Sequence, residues 1–142
     1  MDAWPNSEVG DLVSPRGESI VLSFKAGAAI TKGDPVYLAD QDTVVPATAA
    51  RDCVGIALEN ASEDDYVPVC ILGVVKVVAG ATISRGQAVY GADASKRILP
   101  LTDQDVDESG ANTYTIYYAR KLGIALDNFS APGDAGRILV VK

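Results

Sequence analysis

Ala26-Gly27-Ala28-Ala29-Ile30-Thr31-Lys32-Gly33-Asp34-Pro35-Val36-Tyr37 returns later in the chain as Ala79-Gly80-Ala81-Thr82-Ile83-Ser84-Arg85-Gly86-Gln87-Ala88-Val89-Tyr90. The offset is 53 (80 − 27), and it holds for Gly33 and Gly86 as well. A second pair follows: Val54-Gly55-Ile56-Ala57-Leu58-Glu59-Asn60 matches Leu122-Gly123-Ile124-Ala125-Leu126-Asp127-Asn128, with an offset of 68 (123 − 55). Each copy closes on an apolar run, Tyr66-Val67-Pro68-Val69-Cys70-Ile71 and Arg137-Ile138-Leu139-Val140-Val141. The larger second offset puts extra residues in the second copy, mainly in an acidic loop at 102–112.

The repeated unit reads as β structure. Ile30 enters a core, Lys32-Gly33-Asp34 turns the chain, and Val36 begins a strand with Tyr37 on its other face. Glycine suits that turn because it takes positive φ without a Cβ clash. Gly55, inside Val-Gly-Ile-Ala-Leu, predicts a bulge or a close approach by a neighbouring backbone. Around these motifs, short runs rich in Val, Ile, Leu and Tyr alternate with Gly, Pro, Asp and Ser. Strands are predicted over 19–25, 35–39, 43–45, 53–59, 66–72, 74–78, 88–90, 97–101, 113–120, 122–127 and 137–141. In the first, Ile20, Leu22 and Phe24 share one face and Val21 takes the other. No stretch keeps a helical apolar period for three turns, and one short helical turn is expected over 47–51, after Pro46. The fold class is therefore all-β, a small barrel or sandwich of two tandem related β units. Residues 1–17 read as an extended N-terminal arm, and 18–142 as a single β domain with repeat halves at about 18–78 and 79–142.

Composition narrows the function. The 142 residues carry 12 Lys and Arg against 19 Asp and Glu, a net charge of −7, and no histidine. Without histidine there is no Ser-His-Asp or Cys-His nucleophile system and no imidazole base. Most zinc sites are excluded too. The acidity argues against a nucleic-acid partner, which demands clustered Lys and Arg. No apolar run reaches the roughly 18 residues of a membrane span, and 1–6 lack the features of a signal peptide. No cofactor, metal or catalytic residue is expected, and the chain is read as no enzyme.

Several constellations have two readings. Cys53 and Cys70 flank a predicted hairpin and read either as a cross-strand disulfide or as two buried thiols. The 102–110 segment begins like a calcium loop, but Glu108 stands where that loop needs Gly and Tyr114 where it needs Glu. It reads as a solvated acidic loop, as does the Glu63-Asp64-Asp65 turn. Tyr114 and Tyr118 share one strand face and Tyr117 the other, which suits sheet packing or a subunit interface better than a sugar-stacking platform. Trp4 and Pro5 are the first candidates for a partner contact, joined by Val9, Leu12 and Pro15 of the same segment. Tryptophan buries a large area at binding hot spots, and the prolines favour an extended chain able to add a strand to a neighbour. The alternative is that Trp4 folds back onto its own barrel.

Taken in order, the motifs resemble a known family. Gly10-Asp11-Leu12-Val13, a strand into Ala-Gly-Ala, Lys-Gly-Asp-Pro-Val-Tyr, Val-Gly-Ile-Ala-Leu, Gly73-Val74-Val75-Lys76-Val77 and then the second round are similar to the capsid decoration (cement) proteins of tailed phages and tailed archaeal viruses. The resemblance spans 10–142; the 102–112 loop is longer than the family's usual turn, and 1–9 has no clear counterpart. It implies a structural virion protein on the outer capsid surface, made in the host cytoplasm. Its implied partner is the major capsid protein, whose neighbouring copies it ties together. The implied state is a homo-oligomer, a trimer or a dimer, with no nucleic acid and no membrane. Two other functions fit the residues: a surface-displayed carbohydrate-binding module, and an accessory β-barrel domain of an enzyme.

Overall fold

The computed structural model describes residues 7–102 and 120–142. Among the described residues, nine strands follow a short 3-10 turn at Arg16–Glu18: β1 (Ile20–Ala26), β2 (Pro35–Asp40), β3 (Thr43–Pro46), β4 (Gly55–Ala57), β5 (Tyr66–Val78), β6 (Ala88–Gly91), β7 (Ile98–Pro100), β8 (Gly123–Ala125) and β9 (Ala135–Val141). They pair in the order β1-β3-β2-β4-β5-β9-β8-β6-β7. An extra β1–β5 pairing closes the first five strands into a barrel. The chain is all-β, as its residue pattern predicts.

The repeat survives in the hydrogen-bond register. Val36 faces Gly55 across β2 and β4, and Val89 faces Gly123 across β6 and β8. Val36 also faces Pro46, as Val89 faces Pro100. The bridge Ile30↔Ala61 has its counterpart in Ile83↔Phe129. The turn amides match too: Gly33 N donates to Ala57 O and Gly86 N to Ala125 O, both at 2.8 Å. Each turn is tied across by an asparagine, with Lys32 N donating to Asn60 Oδ1 at 2.8 Å and Arg85 N to Asn128 Oδ1 at 2.7 Å.

β5 belongs to both rounds. Its first half pairs with β1, and its second half with β9. The sequence reading divides 66–72 from 74–78 at Gly73; the structure has one strand of 13 residues. By the repeat, β1 corresponds to the second half of β5, and the first half of β5 corresponds to β9. Both pairings are antiparallel, so the operation relating the rounds reverses strand direction. It also steps one strand along the sheet, from β1 to β5 and from β5 to β9. Leu72 stands at the crossover, facing Ile20 of β1 on one side and Val141 of β9 on the other.

Two other expectations change. The 47–51 segment forms bends and no helix. Its backbone groups bond elsewhere: Ala47 N donates to Pro35 O, Arg51 N to Gly91 O, and Ala49 O accepts from Ala92 N. Those partners leave no i to i−4 ladder for a helix. The predicted hairpin register is also shifted, since Ile56 rather than Cys53 faces Cys70. Both cysteines are free and buried. Residues 113–119 of the strand predicted over 113–120, and most of the acidic loop, lie outside the described residues.

The core has two clusters. The smaller lies in the first barrel and includes Val36, Val44, Val67 and Val69. The larger collects Ile56 and Cys70 from the first round with Val77, Ile98, Phe129 and Ile138 from the second. Gly55 shows why the repeat needs glycine in its second motif: a Cβ there would meet Cys70 O at 2.1 Å.

Candidate functional site

Residues 10–13 run antiparallel along the edge of β5, with one isolated bridge at Leu12. Gly10 N donates to Lys76 O and Val13 N to Val74 O, both at 2.7 Å. Lys76 N returns a bond to Asp11 O at 3.2 Å, and Leu12 sits opposite Val75. Ser14 Oγ accepts from Val74 N at 2.9 Å, so a side chain ends the ribbon where the backbone turns away. Leu12 packs against the larger core cluster.

The opposite flank of this segment rests on the first repeat's turn. Gly10 has φ +89° and Gly33 φ +93°, and the two backbones meet directly. A Cβ on Gly10 would lie 2.5 Å from Gly33 N, and one on Gly33 would lie 2.6 Å from Val9 Cγ1. Charge holds the same contact. Lys32 Nζ sits 2.5 Å from Asp11 Oδ1 and 3.7 Å from Glu8 Oε2. The Asp11 carboxylate accepts from Glu8 N at 2.7 Å, and this bond together with Lys32 holds its pKa below the usual carboxylate value. The ammonium of Lys32 is raised in return by Asp11.

Of the five expected contact residues, Val9 and Leu12 are thus packed on their own chain. Pro15 is exposed, and its carbonyl accepts from Ser19 Oγ at 2.8 Å and Glu18 N at 2.9 Å. Trp4 and Pro5 lie outside the described residues, as do Tyr114, Tyr117 and Tyr118. The docking of residues 8–13 was missed in the sequence, where four residues give too short a pattern to show a strand. The pair of glycines, Gly10 and Gly33, is the signal that could have found it.

No group of acidic and cysteine residues able to hold a metal occurs among the described residues. The Glu63-Asp64-Asp65 turn is exposed. Asp64 Oδ1 lies 3.4 Å from Lys25 Nζ, and Asp65 Oδ2 accepts from Ser62 N at 3.2 Å. These carboxylates hold a turn. Large apolar side chains are exposed at Ile20, Leu22, Leu38, Tyr66 and Val141. Ile20, Leu22 and Tyr66 belong to the neighbouring strands β1 and β5.

A sequence model described as phage cement protein matches residues 15–141. The chain belongs to the phage cement protein family. Among solved structures, it is similar to the head fiber gp8.5 N base in bacteriophage phi29, with a TM-score of 0.55 and 15% sequence identity. That match covers 86% of this chain and 93% of the other, and at this identity it concerns the fold. No curated protein matches. A family of this kind is structural, in keeping with a chain of phage capsid-associated type.

Proposed function

We propose that this chain decorates the outer surface of an assembled phage capsid and ties neighbouring major capsid proteins together. The match of nearly the whole chain to the phage cement protein family carries this reading. The β-barrel frame and the acidic surface suit it. A net charge of −7 keeps free copies apart, and binding at many repeated shell sites then supplies avidity without any chemistry. The chain acts as a structural protein rather than an enzyme. We assign it a trimer on the shell, each copy contributing one N-terminal segment. In this reading Trp4 and Pro5 reach the shell, Val9 and Leu12 anchor the root of the segment on β5, and Pro15 stands at its exposed bend.

The test mixes purified protein with expanded, undecorated capsids and images them by electron microscopy. Added density at local three-fold positions supports the proposal, and bare shells overturn it. Deleting residues 1–6 removes Trp4 and Pro5 while leaving 10–13 on β5. That truncation is expected to keep the fold and lose shell binding. Undiminished binding would remove Trp4 and Pro5 from the interface.

A further inference from the structure

The outer face of β5 and β9 is apolar where the solvent side of a sheet is ordinarily polar. Across the two strands Leu72 faces Val141, Val74 faces Leu139 and Lys76 faces Arg137. Residues directly opposite one another share a face, so all three pairs point the same way. The residues between them, Val75, Val77, Ile138 and Val140, are buried in the core. The three pairs therefore form the outward side of the sheet, and only the last of them is charged.

The flanking backbone continues this face. Ile20 of β1 stands opposite Leu72 on the other edge of β5. Val13 N bonds to Val74 O, and Leu12 beside it packs into the core, so the alternation turns Val13 outward. Two apolar rows result, Val13-Val74-Leu139 and Ile20-Leu72-Val141, each crossing three neighbouring backbones. Ile20 is 48% exposed and Val141 46%, and the other four keep partial exposure. A contiguous apolar patch bordered by charge marks an interaction surface.

The charges beside the patch compensate one another. Arg137 holds Asp127 at 2.9 Å, and Lys32 holds Asp11. Glu18 follows Arg16 by two residues in the 3-10 turn. Acid collects instead at the far end of β1, where Lys25 lies roughly 17 Å along the strand from Ile20. There Lys25 N donates to Asp42 O and Ala26 N to Asp65 O. These bonds draw together two turns that carry the exposed Asp40, Asp42, Glu63, Asp64 and Asp65, with Lys25 Nζ 3.4 Å from Asp64 Oδ1. The molecule thus has an acidic end and, apart from it, a charge-compensated apolar face.

We infer that this face, centred on Ile20, Leu72, Val74, Leu139 and Val141, is the surface that meets the capsid shell, and that the shell offers it an uncharged apolar site. The inference rests on the shell reading above and adds the contact surface to it. The place where the N-terminal residues depart selects the shell over a second copy. Residues 1–6 leave from Ser7, whose carbonyl accepts from Lys76 Nζ at 2.9 Å in the charged row of this same face. Trp4, assigned above to the shell, is three residues from Ser7 and therefore within about 10 Å of it. One surface then takes both. Docking by this face also leaves the acidic end out of the contact, so that its carboxylates stay hydrated.

The test is cosedimentation of the full chain with expanded, undecorated capsids, comparing wild type with Ile20→Glu, Val141→Glu and Glu63→Gln. Urea unfolding of each variant checks that it is folded. Ile20→Glu and Val141→Glu are each expected to weaken shell binding by about ten-fold, because each sets a carboxylate in an apolar contact. Glu63→Gln, at the acidic end, is expected to bind as wild type does. Binding that survives both glutamates overturns the assignment of this face and leaves the shell reading standing. A wild type that leaves the shells bare overturns the shell reading, and the inference with it. A wild-type dimer in solution that Val141→Glu dissociates would give the face to a second copy. NMR contacts from Trp4 or Tyr114 to Val74 and Leu139 in the free protein would give it to the chain's own segments. Either result overturns the inference.

Discussion

Gly10 and Gly33 lie against each other, each with positive φ: a Cβ on Gly10 would run into Gly33 and Lys32, and one on Gly33 into Val9. This contact fixes the N-terminal segment on the first repeat's turn. The counterpart of Gly33 in the second round, Gly86, has nearly the same φ of +88° and no described atom within 4 Å of an added Cβ. The two glycines separate conformational cost from packing cost.

Gly86→Ala is expected to lose about 1–2 kcal/mol, the penalty for a Cβ in left-handed backbone. Gly10→Ala carries that penalty and also drives a methyl into Lys32 and Gly33. Its loss is expected to exceed that of Gly86→Ala by on the order of 1–3 kcal/mol, the usual range for overpacking. Chemical denaturation of both variants checks this. Equal losses would mean that the segment is not held by the Gly10–Gly33 contact.

Phe129 and Ala61 occupy the same place in the two rounds, each bridged to the repeat's isoleucine. Phe129 is fully buried in the larger cluster, and its ring lies against Gly136. Phe129→Ala is expected to cost about 3–5 kcal/mol. The variant places in the second round the residue that the first already uses, so it tests whether that round's core depends on the ring. Urea unfolding reads the loss directly; a change under 1 kcal/mol would mean that the site collapses around the alanine.

Much of this architecture is legible in the residues because the repeat constrains it twice. Val36 and Gly55, and then Val89 and Gly123, pair in one register, so the motif offsets of 53 and 68 translate directly into strand pairing. What stays hidden depends on long-range partners. Gly73 reads as a break, but pairing with β1 on one side and β9 on the other carries β5 straight through it. The 47–51 run has helical residues, yet Gly91 and Ala92 take its backbone bonds. For the candidate site, Val9 and Leu12 stand out as apolar residues in the sequence. Their attachment to β5 and Gly33 does not, because nothing local to 8–13 specifies an edge 60 residues away.

Burial pushes the thiol pKa of Cys53 up to about 12, against a smaller lowering by the Lys142 charge, and that of Cys70 up to about 11. The thiolate is the reactive form, so both groups are inert at neutral pH. The folded protein at pH 8 is expected to resist a disulfide reagent for hours, and both thiols to react at once in denaturant. Rapid modification of the native protein would show that the interior around Cys53 or Cys70 opens readily.

Asp34 is the one buried charged residue among the described residues, 7% exposed, and burial raises its pKa despite the Thr31 amide and Lys96. The second round has Gln87 at this place, accepting from Ser84 N as Asp34 accepts from Thr31 N. Asp34→Gln is therefore expected to change stability at pH 7 by less than about 1 kcal/mol, the loss of one ion pair offset by relief of a buried charge. A raised folded pKa means that wild-type Asp34 favours folding most below its unfolded value. The wild type should gain on the variant as pH falls toward 4. Denaturation curves at pH 7 and pH 4 decide it, and a wild type that loses ground to the variant on acidification would reverse the sign.

Asp127 works in the opposite direction. Arg137 grips it with Nε at 3.0 Å and Nη2 at 2.9 Å, and the Arg137 amide adds a bond of 2.9 Å. The guanidinium hydrogen bond is the largest cause of its lowered pKa, with the amide bond supporting it against partial burial. A depressed folded pKa contributes stability that is present above the unfolded value of about 4 and lost as pH falls through the folded value. The protein is therefore expected to weaken in that acid window. Asp127→Asn should be less stable than wild type at pH 7 and nearly equal to it once the wild-type carboxylate is protonated. Melting temperatures of the two proteins measured across that window test the linkage, and parallel acid limbs would show that the Asp127–Arg137 pair is not among its sources.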